Sequence, residues 1–148
     1  MLVGVVAVTE RDARGRAFGP RALAVLESVL VGGYLVAVVM YAWAYADAGG
    51  DLGRLLGGYF DPKEYVPGGM HLFNPLAYLY TAATLSVLIG WLYGIGLLVA
   101  AVPLLVLRRG RVPARTWWWL FVATVSVAAL VVTTFTPFGA HLGTWIAD

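Results

Sequence analysis

Long stretches without a charged residue constrain this chain more than any other feature does. Leu72 to Leu107 contains 36 consecutive residues without Asp, Glu, Lys or Arg, and Ser28 to Ala46 contains 19. About 20 mostly apolar residues cross the ~30 Å hydrocarbon core of a bilayer as one helix. Only 12% of the chain is charged, whereas soluble domains carry about 25%. The sequence therefore predicts an all-α integral membrane protein.

Turn-forming and basic residues divide the chain between three predicted transmembrane helices. The predicted segments are an N-terminal segment at 1–21, a first span at 22–46, a loop rich in Gly, Asp and Pro at 47–73, a second span at 74–107, a basic loop at 108–115, a third span at 116–136 and a tail at 137–148.

The second predicted span is longer than one bilayer crossing requires. Its uncharged stretch of 36 residues would extend about 50 Å as a single helix. We expect it to tilt, to protrude from the bilayer, or to kink or break near residues 90–96.

Basic residues predict the orientation of the three spans. Four arginines lie in the N-terminal segment and four more in the 108–115 loop, whereas the 47–73 loop carries two basic and four acidic residues. Because basic loops stay in the cytoplasm, we expect a cytoplasmic N-terminus and a C-terminus outside, in a multi-pass protein of the plasma (inner) membrane. Nine of the ten basic residues are Arg, which fits a GC-rich genome and favours a bacterial source.

A stripe of small residues on the second span predicts close helix packing. The stripe recurs every four residues and consists of Ala82, Ser86, Gly90 and Gly94. Small side chains let two helix backbones approach closely in lipid. The neighbour is either another helix of the same chain or another subunit.

Trp91 and Tyr93 lie near the middle of the second span. Their N–H and O–H groups need hydrogen-bond partners that lipid cannot supply. They are therefore either core aromatics or part of a pocket for a quinone, carotenoid or lipid.

His71 and His141 are the only histidines, and both are predicted on the outer side. Together with acids of the 47–73 loop they are candidate ligands for Zn²⁺, Cu²⁺ or haem, although ordinary interfacial imidazoles are the simpler interpretation. The chain has no cysteine, which excludes disulfides and thiolate metal sites. No cofactor is required by the sequence.

The basic loop is a candidate binding site for anionic lipid head groups. The arginines that would form it are Arg108, Arg109, Arg111 and Arg115.

The sequence carries no recognisable catalytic motif, since H-E-x-x-H, G-x-S-x-G and P-loop patterns are missing. Glu27 lies only one to two turns into the first span. No span carries a charge at its centre, which disfavours a pump or ion-coupled transporter.

We therefore expect a small non-catalytic membrane subunit or accessory protein of a larger complex. Its partners would be the lipid bilayer and a membrane protein or further copies of the chain, and not nucleic acid. Two alternatives stay open. One is a homo-oligomeric channel or small-solute transporter, and the other is a membrane enzyme or cofactor binder that uses outer-side His, Asp and Glu.

Overall fold

The computed structural model describes residues 2–107 and 109–147, with their side chains from residue 19 onward except that of Tyr59. Within this part the chain is helical and contains no strand, which confirms the predicted all-α fold class. Its six α-helices are α1 (Leu2–Asp47), α2 (Leu52–Arg54), α3 (Pro75–Leu88), α4 (Gly90–Leu107), α5 (Ala114–Thr134) and α6 (Pro137–Ala147).

Three helical segments are long and apolar enough to cross a membrane. They are Gly19–Asp47 of α1, α4 and α5. By contrast, α3 has 14 residues and is about 21 Å long, which is too short to cross alone. Pro20 lies inside α1 rather than at its start, so the predicted boundary between residues 21 and 22 is not a helix end.

Two glycines end α1. The N–H of Gly50 donates to the carbonyl of Tyr45 and the N–H of Gly49 to that of Ala46, both at 3.0 Å. Gly49 and Gly50 have φ of 71° and 79°, a conformation that costs residues with a Cβ more than it costs glycine. This Schellman arrangement turns the chain into the loop.

The second apolar segment is interrupted at Ile89, directly before the range 90–96 in which a break was expected. Ile89 has φ of −124° and ψ of 0°. Its carbonyl accepts hydrogen bonds from the N–H groups of Leu92 at 3.1 Å and Tyr93 at 3.4 Å, so α3 and α4 stay connected through a kink. Ser86 and Gly90 flank this point, and Gly/Ser pairs are a common cause of kinks.

The long helices form a bundle in which α1 packs against α3, α4 and α5, and α4 packs against α5. We call the end with Arg21 and residues 109–115 the basic end, and the end with residues 48–74 the loop end. The core at the basic end is formed by Ala24, Ala101, Leu105 and Leu120. A larger core extends from the middle of the bundle to the loop end.

Helix α6 closes the loop end. Trp145 is buried, its Nε1 donates to the Phe60 carbonyl at 2.9 Å, and its ring meets those of Tyr41 and Tyr65 edge-on. Helix α6, which forms most of the predicted tail, packs on helices and loop of its own chain.

Candidate functional site

Glu27 carries a fully buried carboxyl group inside the helical bundle. Its exposed fraction is 0%, and Thr124 Oγ1 on α5 donates to Oε1 at 3.2 Å and to Oε2 at 3.0 Å. At 1.5 Å per residue, Glu27 lies about 9 Å along α1 from Arg21, and Thr124 lies about 12 Å along α5 from Thr116. The pair therefore lies within the apolar segments rather than at their edge.

The Thr124 hydroxyl can satisfy the carboxyl group in either protonation state. It has one proton to donate and also accepts hydrogen bonds. When Glu27 is ionised, the hydroxyl donates to the carboxylate. When Glu27 is protonated, the acid donates to Oγ1, while the hydroxyl proton goes to the carbonyl of Leu120, which lies 2.7 Å away. The carboxyl group can therefore hold or release a proton while it keeps a hydrogen bond to the Thr124 hydroxyl.

One face of α1 positions this carboxyl group. Residues seven apart return to nearly the same side of a helix, and Glu27, Tyr34 and Tyr41 are all buried. Ala24 and Ala37 on the same face have no exposed surface. The small side chain of Ala24, one turn before Glu27, allows a neighbouring helix to come close to α1 beside the carboxyl group.

The hydroxyl of Tyr34 is a second buried polar group on this face. Tyr34 is only 6% exposed, and its oxygen has no hydrogen-bond partner among the described residues. Helical side chains lean toward the helix N-terminus, which brings this hydroxyl to the Glu27 side of its own Cα. The buried face of α1 therefore carries an acid followed two turns later by an unpaired phenol.

The arginines predicted to bind lipid head groups have different surroundings. Arg109 lies over the Trp117 ring, 5.2 Å from its centroid, and Arg111 is exposed. Arg115 lines a cleft that it shares with Arg21 of α1. Arg108 lies outside the described residues.

The predicted small-residue stripe contacts two helices of the same chain. A Cβ on Gly94 would lie 2.7 Å from Val131 Cγ2 on α5, and one on Gly90 would lie 3.1 Å from Leu30 Cδ1 on α1. Ser86 Oγ lies against Gly33 of α1, which is also close to the carbonyl of Ala82. Ser86, Gly90 and Gly94 thus have neighbours within the chain, whereas Ala82 is exposed.

Trp91 and Tyr93 do not share a pocket. Trp91 contacts the Phe135 ring edge-on at 5.9 Å. Tyr93 is 61% exposed and lines an apolar groove of about 640 Å³ between α1 and the α3–α4 kink, whose lining does not include Trp91.

The two histidines lie toward the loop end. His71 is exposed in the loop and His141 is half-buried on α6. Among the described residues, no group of three or more His, Asp or Glu side chains is arranged to hold a metal ion.

Sequence reasoning underestimated Glu27, because its distance from the predicted helix start suggested that it reaches the interface. The available signal was its seven-residue spacing from Tyr34 and Tyr41 in an otherwise uncharged block. Its partner Thr124 lies 97 residues away and carries no signal of its own.

No protein-family model matches the chain, and neither a curated protein nor a solved structure is significantly similar to it.

Proposed function

We propose that the protein is a non-catalytic subunit of a larger membrane complex and supplies that complex with a protonatable carboxyl group inside the bilayer. The Glu27–Thr124 pair is the observation that carries this proposal. Ionisable residues in membrane spans are costly, and those facing a bundle interior commonly belong to proton or ion pathways. The double role of the Thr124 hydroxyl fits a group that takes up and releases a proton.

The distribution of charge supports three crossings with the N-terminus in the cytoplasm. Arg21 Nε donates to Thr116 Oγ1 at 3.4 Å, so the start of the first span and the start of α5 meet at one end. Residues 48–74, at the other end, contain three acidic residues, Asp51, Asp61 and Glu64, against two basic ones, Arg54 and Lys63. Under the positive-inside rule, the basic end is cytoplasmic in the plasma (inner) membrane and the C-terminus is outside.

An incomplete polar path favours a subunit over a protein that works alone. A proton crossing a ~30 Å core needs polar groups along its whole route. On the buried face of α1, the described residues beyond Glu27 provide the phenols of Tyr34 and Tyr41, about 10 Å apart along the helix. A partner would supply the remaining groups. The small-residue stripe does not itself support a partner, because Ser86, Gly90 and Gly94 contact helices of their own chain.

Native mass spectrometry of the protein, extracted gently from its own membrane, tests the subunit proposal. We expect a heteromeric mass that persists in Glu27→Gln, since the amide keeps the size and an acceptor oxygen of the acid. The proton-dependent activity of that complex should be lost in Glu27→Gln. A mass of one chain alone, or full activity in the variant, would contradict the proposal.

A homo-oligomeric, proton-coupled transporter is the second candidate, and Glu27 is what favours it. The sequence disfavoured such a function because no charge was expected in the interior of a span, whereas the carboxyl of Glu27 is buried between helices. This candidate predicts a homomeric mass and solute flux in proteoliposomes that responds to a pH gradient. It is rejected if the purified oligomer gives the same flux with Glu27→Gln as with the wild-type chain.

A further inference from the structure

A cleft at the basic end brings together two arginines from distant parts of the chain. It has a volume of about 600 Å³ and is lined by Arg21, Arg115, Thr116 and Trp119. The guanidinium of Arg21 is held by the hydrogen bond from Nε to Thr116 Oγ1. Trp119 Nε1 donates to Ser28 Oγ at 3.1 Å. The cleft therefore has fixed walls from both α1 and α5.

The charge of the cleft suits an anionic group. Its described lining contains two guanidinium groups and no carboxylate. Arginine presents a planar fork of N–H donors that matches phosphate oxygens. Trp119 is 44% exposed and offers an amphipathic ring of the kind enriched at membrane–water interfaces.

We propose that this cleft binds the phosphate of an anionic phospholipid. It lies where α1 and α5 leave their apolar segments, which is the depth of the head-group layer. The exposed side chain of Val122, one turn beyond Trp119 on the same face of α5, gives the acyl chains an apolar surface to follow. This site is independent of Glu27 and of any protein partner.

Arg111 of the same basic loop provides an internal control. Arg111 is exposed and does not line the cleft. Removing its charge changes the net charge of the same loop by the same amount. A specific cleft and a diffuse attraction of the whole loop for anionic lipid therefore predict different results for Arg111 and Arg115.

Lipid titration of delipidated protein in a neutral detergent, followed by native mass spectrometry, tests the site. We expect one phosphatidylglycerol to bind at least tenfold more tightly than phosphatidylcholine. Arg21→Gln and Arg115→Gln should each weaken that binding about fivefold, because one basic residue near an anionic surface contributes about 1 kcal/mol. Arg111→Gln should change it less than twofold.

Arg115→Lys is a second variant, to be measured if the helix content of Arg115→Gln shows that it does not fold. It keeps the charge but loses the fork, so its affinity should lie between those of wild type and Arg115→Gln. Equal binding of phosphatidylglycerol and phosphatidylcholine would overturn the proposal, as would equal losses in Arg111→Gln and Arg115→Gln. Inorganic phosphate that displaces the lipid at equal concentration would assign the cleft to a soluble anion and would also overturn it.

Discussion

A single hydroxyl group determines how the bundle accommodates the carboxyl of Glu27. The acid is fully buried, and Thr124 is its one hydrogen-bond partner among the described side chains. Leaving a buried polar group without a partner costs about 1–3 kcal/mol, and more for a charged one. The stability of the bundle should therefore depend on Thr124 far more than on other threonines of α5.

Thr124→Val should lower the free energy of unfolding by about 1–3 kcal/mol, measured as loss of helix content in mixed micelles. The control is Thr133→Val, which removes a hydroxyl that likewise bonds the carbonyl four residues earlier but has no carboxyl partner. Its effect should stay within about 0.5 kcal/mol.

A double-mutant cycle isolates the contact between the two side chains. In a Glu27→Met background, Thr124→Val should cost little, because no carboxyl group remains to be satisfied. Equal costs of Thr124→Val with and without Glu27 would show that the hydroxyl acts through α5 alone.

Tyr65 in the loop predicts a loss of stability at alkaline pH. Burial is the largest cause that raises the pKa of Tyr65. The charge of Asp47, the hydrogen bond to Asp47 and the charge of Glu64 raise it further. A group with a raised folded pKa stabilises the fold fully below its unfolded pKa, about 10 for Tyr, and loses that contribution as the pH rises toward the folded value.

The midpoint of thermal unfolding should therefore fall more steeply above about pH 10 in wild type than in Tyr65→Phe. Asp47→Asn should give an intermediate slope, because burial still acts on Tyr65 while the Asp47 charge is gone. Parallel curves for all three proteins would contradict this assignment.

At the scale of elements, close approaches of helix backbones decide how the bundle fits together. Gly94 on α4 meets Val127 and Val131 of α5, whereas a Cβ on Gly96 would meet nothing within 4 Å. The two glycines are two residues apart on one helix, but only the position of Gly96 has room for a larger side chain.

Gly94→Ala should therefore be less stable than Gly96→Ala by about 1–3 kcal/mol, the usual cost of overpacking a core. Gly96→Ala itself should be neutral or stabilising, because alanine favours helix over glycine by up to about 1 kcal/mol. Unfolding of the two variants under identical conditions measures the difference, and equal stability would argue against tight α4–α5 packing.

The attachment of α6 offers a second matched pair of glycines. A Cβ on Gly139 would lie 2.6 Å from Thr134 Cα and would also collide with the Thr133 carbonyl, whereas one on Gly143 would meet nothing within 4 Å. Gly139→Ala should detach the start of α6 and increase the exposure of Trp145. Gly143→Ala should leave it in place.

Quenching of tryptophan fluorescence by acrylamide reads out this change once the other five tryptophans are replaced by Phe. Increased quenching in Gly139→Ala and wild-type quenching in Gly143→Ala is the expected result. Unchanged quenching in Gly139→Ala would contradict the docking of α6 seen in the structure.

At the scale of the whole molecule, the apolar segments could be predicted because the absence of charge over 19 or more residues is a property of contiguous sequence. The interruption at Ile89 could not be located, since Gly90, Gly94 and Gly96 are equally good local signals and only packing distinguishes them. Proline is also a common cause of kinks, yet Pro103 lies inside α4 without a break.

Contacts between distant parts of the chain could not be predicted from the sequence. Glu27 and Thr124 are 97 residues apart, and Trp145 bonds a carbonyl 85 residues before it. The docking of the tail could not be predicted, because the aromatic residues that cover it are spread over α1 and the 48–74 loop. Such pairings depend on how the helices turn toward one another, which no local pattern records.

The central claim is that α1, the kinked α3–α4 pair and α5 each cross the membrane once, and single-cysteine labelling tests it most directly. The chain contains no cysteine, so the labelling reagent reacts only with the cysteine that is introduced in each variant. Gly110→Cys lies at the basic end, while His71→Cys and Thr144→Cys lie at exposed positions toward the loop end.

A membrane-impermeant maleimide should label His71→Cys and Thr144→Cys in intact cells. Gly110→Cys should react only in inverted vesicles or after permeabilisation. Labelling of His71→Cys and Gly110→Cys from the same side would show that the α3–α4 pair is a re-entrant hairpin. That result would contradict three membrane crossings.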